Sequence, residues 1–103
     1  MKGGILSSFS SFETKCIIPI DYAGITCDIE EINKIAKTYK VPVLVDSAQS
    51  MNAKTSNQKW AGTSSELATF SFHETKNFSC GEGGALVINK EEWIEKMLKL
   101  YNE

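Results

Sequence analysis

The chain has 103 residues, of which 42% are hydrophobic, 10% aromatic and 23% charged. This composition is typical of a folded globular protein, and the length allows one domain at most, which excludes a complete two-domain enzyme. Eleven basic residues against thirteen acidic ones give a net charge of -2, so the chain has no basic excess with which to bind nucleic acid.

Cysteine and histidine are too few and too scattered for a disulfide framework or a metal site. The three cysteines are widely spaced, without a C-x-x-C pair, and there is one histidine, His73. We therefore expect no metal ligands and a reducing, cytoplasmic location. Every apolar run is far shorter than the roughly 20 residues that cross a bilayer, so we also expect no membrane partner.

The hydrophobic pattern predicts alternating strands and helices. Residues 1–13 are rich in serine and glycine and predict a poorly ordered leader. Residues 16–20 predict a strand, and Asp28 can cap a helix whose apolar residues share one face. A buried parallel strand follows over residues 41–45. Two further strands are predicted over 67–72 and 83–89, and then a last helix that Asn89 can cap. The predicted fold class is α/β.

Polar residues beyond the strand ends are the candidates for chemistry, because ligands of open α/β sheets bind there. Three groups qualify: Asp21, residues 46–49 and residues 71–76. Asp46 suits pairing with a cation, a metal or a protonated ring nitrogen, or it merely caps the next turn. Lys76 is either a partly desolvated nucleophile that can form a Schiff base or an ordinary surface lysine. His73 either hydrogen-bonds at the site or is a packed structural histidine.

Three ordered segments resemble a known family. Residues 70–77 (FSFHETKN), followed by residues 80–86 (CGEGGAL), are similar to the lysine segment of the DegT/StrS family of pyridoxal-phosphate-dependent sugar aminotransferases. Residues 19–24 (PIDYAG) and 45–49 (VDSAQ) match two further family segments in the same order and spacing. The sequence of residues 71–77 (SFHETKN) most resembles that of family members that make dTDP-4-amino-4,6-dideoxygalactose. These members serve the synthesis of enterobacterial common antigen, lipopolysaccharide and related surface polysaccharides.

The resemblance implies a partial large domain of the aspartate-aminotransferase-like (type I PLP) fold over residues 14–103, with a mostly parallel sheet and flanking helices. It also implies pyridoxal 5'-phosphate (PLP) as cofactor. Lys76 matches the lysine that binds PLP covalently and moves a proton between cofactor and substrate. Asp46 matches the carboxylate that keeps the pyridine nitrogen protonated. Gln49 matches a residue near the phenolic oxygen. Ser71 matches a hydroxyl that donates to the phosphate, although a strand-end serine also bonds to local backbone.

The activity implied by the resemblance is transfer of an amino group from glutamate to a 4-keto-6-deoxy sugar nucleotide, by a homodimer. Family members are several times longer, and many carry histidine where this chain has Asp21. A competing hypothesis is therefore a truncated remnant without independent activity. A receiver-like phospho-acceptor domain is a third and less favoured reading, because Asp21 stands alone and Ser71 and Lys76 share one strand end.

Overall fold

The structure, a computed structural model, describes residues 13–103. The leader predicted over residues 1–13 therefore lies outside the described residues, except for Glu13. The described part contains two helices, three strands and two short 3-10 turns. These are helix α1 (Ile29–Tyr39), strands β1 (Leu44–Asp46), β2 (Leu67–Ser71) and β3 (Gly84–Ile88), helix α2 (Ile94–Asn102), and turns at Tyr22–Gly24 and Glu91–Trp93.

Helix α1 begins at the predicted cap and ends in a left-handed residue. The Asp28 side chain accepts a hydrogen bond from Glu31 N at 3.4 Å. At the other end Lys40 takes φ 54° and donates its N–H to the carbonyls of Ala36 and Lys37. The apolar side of α1 packs against the sheet and forms the core, which contains Ile29, Ile32, Ala36, Val43, Val45 and Ala68.

The sheet is mixed, with strand order β1-β2-β3. β1 and β2 run parallel, with Leu44 opposite Leu67 and Asp46 opposite Thr69. β3 runs antiparallel to β2, because residues 72–83 return the chain directly to the neighbouring position without a crossover helix. The α/β class is confirmed, and the parallel arrangement holds for the part of the sheet that precedes β3.

The strand predicted over residues 16–20 is interrupted at Pro19. This segment lies parallel to β1 and makes two isolated bridges, Ile17 with Val43 and Ile20 with Asp46. Asp46 N donates to Pro19 O at 2.9 Å, but proline has no N–H to return a bond to β1. The segment therefore lies along the sheet without forming a continuous strand. As a result, Asp21 lies at the same edge of the sheet as Asp46.

Side chains alternate between two faces of this sheet. The covered face is the one that α1 packs on, and it includes Val43, Val45 and Ala68. The open face is the opposite one, and it includes Ile18 and Leu86. Ala68 is 0% exposed, whereas Ile18 is 57% exposed and Leu86 is 45% exposed. The open face is thus much less covered at Ile18 and Leu86 than the opposite face is at Ala68, although Leu67, which shares the open face with Thr69, is only 6% exposed.

The prediction that Asn89 caps the last helix is wrong. Its side-chain Nδ2 donates to the carbonyls of Gly62 and Ser65, at 2.7 and 2.9 Å, and so ties β3 to the segment before β2. The chain then passes through a 3-10 turn, and α2 begins at Ile94. No residue of α2 is buried within the part of the chain that the structure describes.

Candidate functional site

The carboxyl ends of β1 and β2 bring Asp46 and Ser71 to one edge of the sheet. Asp46 is the last residue of β1 and pairs with Thr69, and Ser71 ends β2 two residues further on. Because side chains two residues apart on a strand share a face, Asp46, Thr69 and Ser71 all lie on the open face. The sheet register therefore places a carboxylate and a hydroxyl on neighbouring strand ends.

Asp46 is half-buried and its carboxylate has a defined orientation. Oδ1 accepts a hydrogen bond from Ala48 N at 3.0 Å, which forms a turn of the kind aspartate favours after a strand. The capping role considered for Asp46 is thus present. It engages one of the two carboxylate oxygens, so the same geometry that caps the turn also holds the carboxylate rigidly at the sheet edge.

Gln49 is oriented by the chain that precedes α1. Its Oε1 accepts a hydrogen bond from Ala23 N at 2.8 Å. Ala23 and Gly24 both have positive φ, 54° and 80°, and this tight turn brings the Ala23 N–H to the side chain. Since the amide oxygen faces a donor, the Gln49 Nε2 group is left to donate elsewhere. Gln49 therefore offers a hydrogen-bond donor, and Ala23 is a contact that sequence reasoning missed.

Lys76 lies in a hydrogen-bonded turn of the loop between β2 and β3. Lys76 N donates to His73 O at 2.9 Å. The next residue, Asn77, donates from Nδ2 to Met51 O at 2.8 Å, across 26 residues of sequence. This bond joins the loop that contains Lys76 to the segment that follows Asp46. Asn77 was not singled out from the sequence, and only the tertiary structure shows its partner.

A cavity of about 460 Å³ lies where these segments meet. Both Gln49 and Lys76 line it, together with Ala23, Gly24, Thr75 and Asn77. Asp46 and Ser71 lie at the adjoining strand ends rather than in this lining. A larger groove of about 710 Å³ lies at the opposite ends of β1 and β2, beside Lys37, Lys40 and Trp93. The smaller cavity is the candidate site, because it combines an amine with an oriented amide at the carboxyl ends of the strands.

Ser71 and His73 interact mainly within their own loop. Ser71 Oγ accepts a long hydrogen bond, 3.4 Å, from His73 N, and this bond leaves the hydroxyl hydrogen for another acceptor. His73 is exposed, which argues against the packed structural histidine. Its Nδ1 lies 3.0 Å from Thr75 Oγ1 and accepts from Thr75 N at 3.3 Å. His73 therefore organises the turn before Lys76.

Asp21 is a buried structural carboxylate. It is 2% exposed and accepts hydrogen bonds from Cys27 N at 2.9 Å, Ser47 Oγ at 2.8 Å and Ser50 Oγ at 3.3 Å. The sequence placed Asp21 among the candidate site residues because it follows a strand. Its burial and its three donors instead assign it to the core beside the site, where it holds the turn after β1 against the start of α1.

The same network affects the Cys27 thiol. Burial, the hydrogen bond to Asp21 and the negative charge of that carboxylate together raise the pKa of this thiol from its ordinary 9.0 to about 12. Cys27 is therefore a protonated packing residue and a poor nucleophile.

Comparison with known proteins places the chain in a family. Residues 11–103 match the model of the DegT/DnrJ/EryC1/StrS aminotransferase family. The chain belongs to this family. An uncharacterized protein of Methanocaldococcus jannaschii is 43% identical over 84 residues, which are 82% of this chain and 22% of that protein. Membership in this family means that the receiver-like alternative is wrong.

Solved structures confirm the fold. The Helicobacter pylori aminotransferase PseC, involved in the biosynthesis of pseudoaminic acid, aligns with all of this chain and 27% of its own, at 33% identity and a TM-score of 0.87. 3-Amino-5-hydroxybenzoic acid synthase aligns with 98% of this chain and 26% of its own, at 32% identity and a TM-score of 0.86. The described residues thus form part of a type I PLP fold. The chain spans about a quarter of the length of these proteins.

Aminotransferases of this family are PLP-dependent, and the residues at the candidate site suit that cofactor. PLP needs an amine for covalent attachment, a carboxylate for its pyridine nitrogen and donors for its phosphate and phenolic oxygens. Lys76 and Gln49 line the cavity with an amine and an amide, and Asp46 and Ser71 carry a carboxylate and a hydroxyl at the adjoining strand ends. The open cavity between Gln49 and Lys76 is consistent with a small-molecule site, so the donor set fits the cofactor.

Among residues 13–103, no group of three or more histidine, cysteine, aspartate or glutamate side chains is arranged to hold a metal ion. In the same range no helix is both long and apolar enough to span a bilayer.

Proposed function

We propose that residues 14–103 are part of the PLP-binding large domain of a sugar aminotransferase. The observation that carries this proposal is the shared cavity of Lys76 and Gln49, next to the strand end that holds Asp46. Family membership supports the reaction class, because family members act on sugar nucleotides with an amino donor.

Each site residue has a role that its chemistry supports. Lys76 would hold the cofactor through its amine and, once released, move a proton to and from the substrate carbon. Asp46 would face the pyridine nitrogen with its fixed carboxylate. Ser71 would donate its hydroxyl hydrogen to the phosphate, and Gln49 would donate from Nε2 to the phenolic oxygen. When bound, PLP supplies an electron sink for the negative charge that develops on the substrate carbon.

The proposed reaction moves an amino group from glutamate to a 4-keto-6-deoxy sugar nucleotide of the dTDP-4-amino-4,6-dideoxygalactose type, for surface polysaccharide synthesis in the cytoplasm. The sequence of residues 71–77 supports this choice of substrate. The similarity to PseC, an aminotransferase involved in pseudoaminic acid biosynthesis, supports a sugar substrate. The working form is proposed to be a homodimer, as the family resemblance implies.

The second candidate is a chain that holds the cofactor without turnover. The exposed apolar side chains of the open face, such as Ile18 and Leu86, favour it for the 103 residues alone. We expect no 2-oxoglutarate from glutamate when the purified chain is incubated with PLP and a 4-keto-6-deoxy sugar nucleotide. Conversion of the keto sugar by a homogeneous sample would exclude this candidate.

The test of cofactor binding is site-specific labelling. The purified chain is incubated with PLP at limiting concentration, reduced with borohydride and digested for peptide mass spectrometry. We expect the label on Lys76 in preference to the ten other lysines, loss of that label in Lys76→Ala, and less label in Asp46→Asn. Lys54→Ala, which changes a lysine on an exposed hairpin, is the matched control and should label like the unmodified chain. Equal labelling of many lysines, or an unchanged total in Lys76→Ala, would refute the assignment.

A further inference from the structure

The turn that contains Lys76 has little apolar packing to hold it. Residues 73–75 and 77–83 are exposed, and Phe78 next to this turn is 50% exposed. A surface loop without a buried apolar anchor opens readily unless hydrogen bonds order it. The hydrogen bonds of residues 73–77 are therefore the features that decide where the Lys76 amine lies.

Two side chains hold this turn, one on each side of Lys76. Before it, His73 Nδ1 accepts from Thr75 N at 3.3 Å and lies 3.0 Å from Thr75 Oγ1. After it, Asn77 Nδ2 donates to Met51 O at 2.8 Å. The first contact closes the turn on itself. The second joins the turn to the segment after β1, which also contains Gln49.

The contact of Asn77 has the larger consequence for the site. Lys76 and Gln49 belong to segments 27 residues apart in sequence, yet they line one cavity. The bond from Asn77 to Met51 O joins these segments within one residue of Lys76 and two residues of Gln49. Its loss would let the lysine turn separate from the oriented amide.

We propose that Asn77 and His73 are positioning residues that hold the Lys76 amine over the cavity beside Gln49. Neither side chain needs to touch the cofactor. Asn77 acts as a hydrogen-bond donor that fixes the turn to the neighbouring segment, and His73 acts through Nδ1 as an acceptor that shapes the turn. The inference rests on the proposed function where it concerns cofactor attachment, and on the hydrogen bonds alone where it concerns the order of the turn.

Matched variants separate these contacts from general effects on the fold. Asn77→Asp removes the donor with little change of shape, and Asn57→Asp makes the same charge change in an exposed hairpin turn. His73→Ala removes the acceptor. His73→Asn restores one, because the side-chain oxygen of asparagine occupies the same δ position as Nδ1 of histidine.

Two readouts are measured on the full 103-residue chain. The first is amide hydrogen exchange at Thr75 and Lys76, which needs no cofactor. The second is borohydride-trapped labelling of Lys76 over a range of PLP concentrations. Asn77→Asp and His73→Ala should each speed exchange about fivefold and raise the PLP concentration for half-labelling by a similar factor. For His73→Asn and Asn57→Asp, the exchange rates and the PLP concentration for half-labelling should stay within about twofold of those of the unmodified chain.

Each contrary outcome has one meaning. If exchange and labelling of Asn77→Asp and His73→Ala match the unmodified chain, the positioning roles are wrong. If His73→Asn behaves like His73→Ala, the acceptor role of Nδ1 is wrong. If Lys76 is not labelled in the unmodified chain, the proposed function fails, while the exchange rates still decide whether these side chains order the turn.

Discussion

The covered and open faces of the sheet use different interactions. On the covered face, apolar side chains from α1, β1 and β2 pack together, and a buried carboxylate, Asp21, has three hydrogen-bond donors. The open face leaves Ile18 and Leu86 about half exposed. At its edge, the loop with Lys76 is ordered by individual hydrogen bonds. The covered face thus contains most of the core cluster, and the proposed cofactor site lies at the edge of the open face.

Among these tests, removal of the buried carboxylate is expected to change the free energy of unfolding most. Asp21→Ala would leave the Cys27 N–H and the Ser47 and Ser50 hydroxyls without their acceptor inside the protein. We expect the free energy of unfolding to fall by about 3–5 kcal/mol, measured by urea denaturation. Asp21→Asn, which keeps an acceptor of the same shape, should lose clearly less. A loss below about 1 kcal/mol for Asp21→Ala would contradict the structural role.

A matched pair of isoleucine truncations compares the faces directly. Ile32 on α1 is 9% exposed, whereas Ile18 on the open face is 57% exposed. Ile32→Ala should lower the free energy of unfolding by about 2–4 kcal/mol, and Ile18→Ala by less than about 1 kcal/mol. Equal losses in the same urea titrations would mean that the open face is packed in solution, and the contrast between the faces would disappear.

Thiol reactivity gives a smaller contrast. The raised pKa of Cys27 means that the folded state disfavours its thiolate. The contribution of Cys27 to the free energy of unfolding is therefore fully present below about pH 9, and it is lost as the pH rises toward 12. Below pH 9, iodoacetamide should modify the exposed Cys80 of the loop well before Cys27, as measured by peptide mass spectrometry. If iodoacetamide modifies Cys27 and Cys80 at comparable rates, the hydrogen bonds around Asp21 do not protect the Cys27 thiol.

Local patterns predicted much of the fold. The Asp28 cap and the apolar spacing of α1 were sufficient for that helix, and short apolar runs located β1 and β2. The antiparallel return of β3 was missed, although residues 73–82 are too few for the crossover helix that a parallel neighbour needs. Asn89 was mistaken for a cap because the Gly62 and Ser65 carbonyls that it binds are more than 20 residues away.

The candidate site was predictable where chemistry follows a strand end. Asp46, Ser71 and Lys76 were located by that rule and by the family resemblance, and the structure brings Gln49 and Lys76 to one cavity. The burial of Asp21 was not predictable, because the local sequence pattern of an aspartate after a strand is the same whether its carboxylate faces a ligand or internal serines. Asn77 and Ala23 were missed because their partners, Met51 O and the Gln49 side chain, are each 26 residues away.

The central claim is that the segment after β1 and the Lys76 turn form one cofactor site at the edge of the open face. The most direct measurement is an NMR titration of the labelled chain with pyridoxamine phosphate, which lacks the aldehyde and so cannot react with exposed lysines. We predict that amide shifts concentrate at Ala23, Ala48, Gln49 and residues 73–77. Shifts centred instead on Lys37 and Lys40, beside the larger groove, with none in the Lys76 turn, would contradict the account.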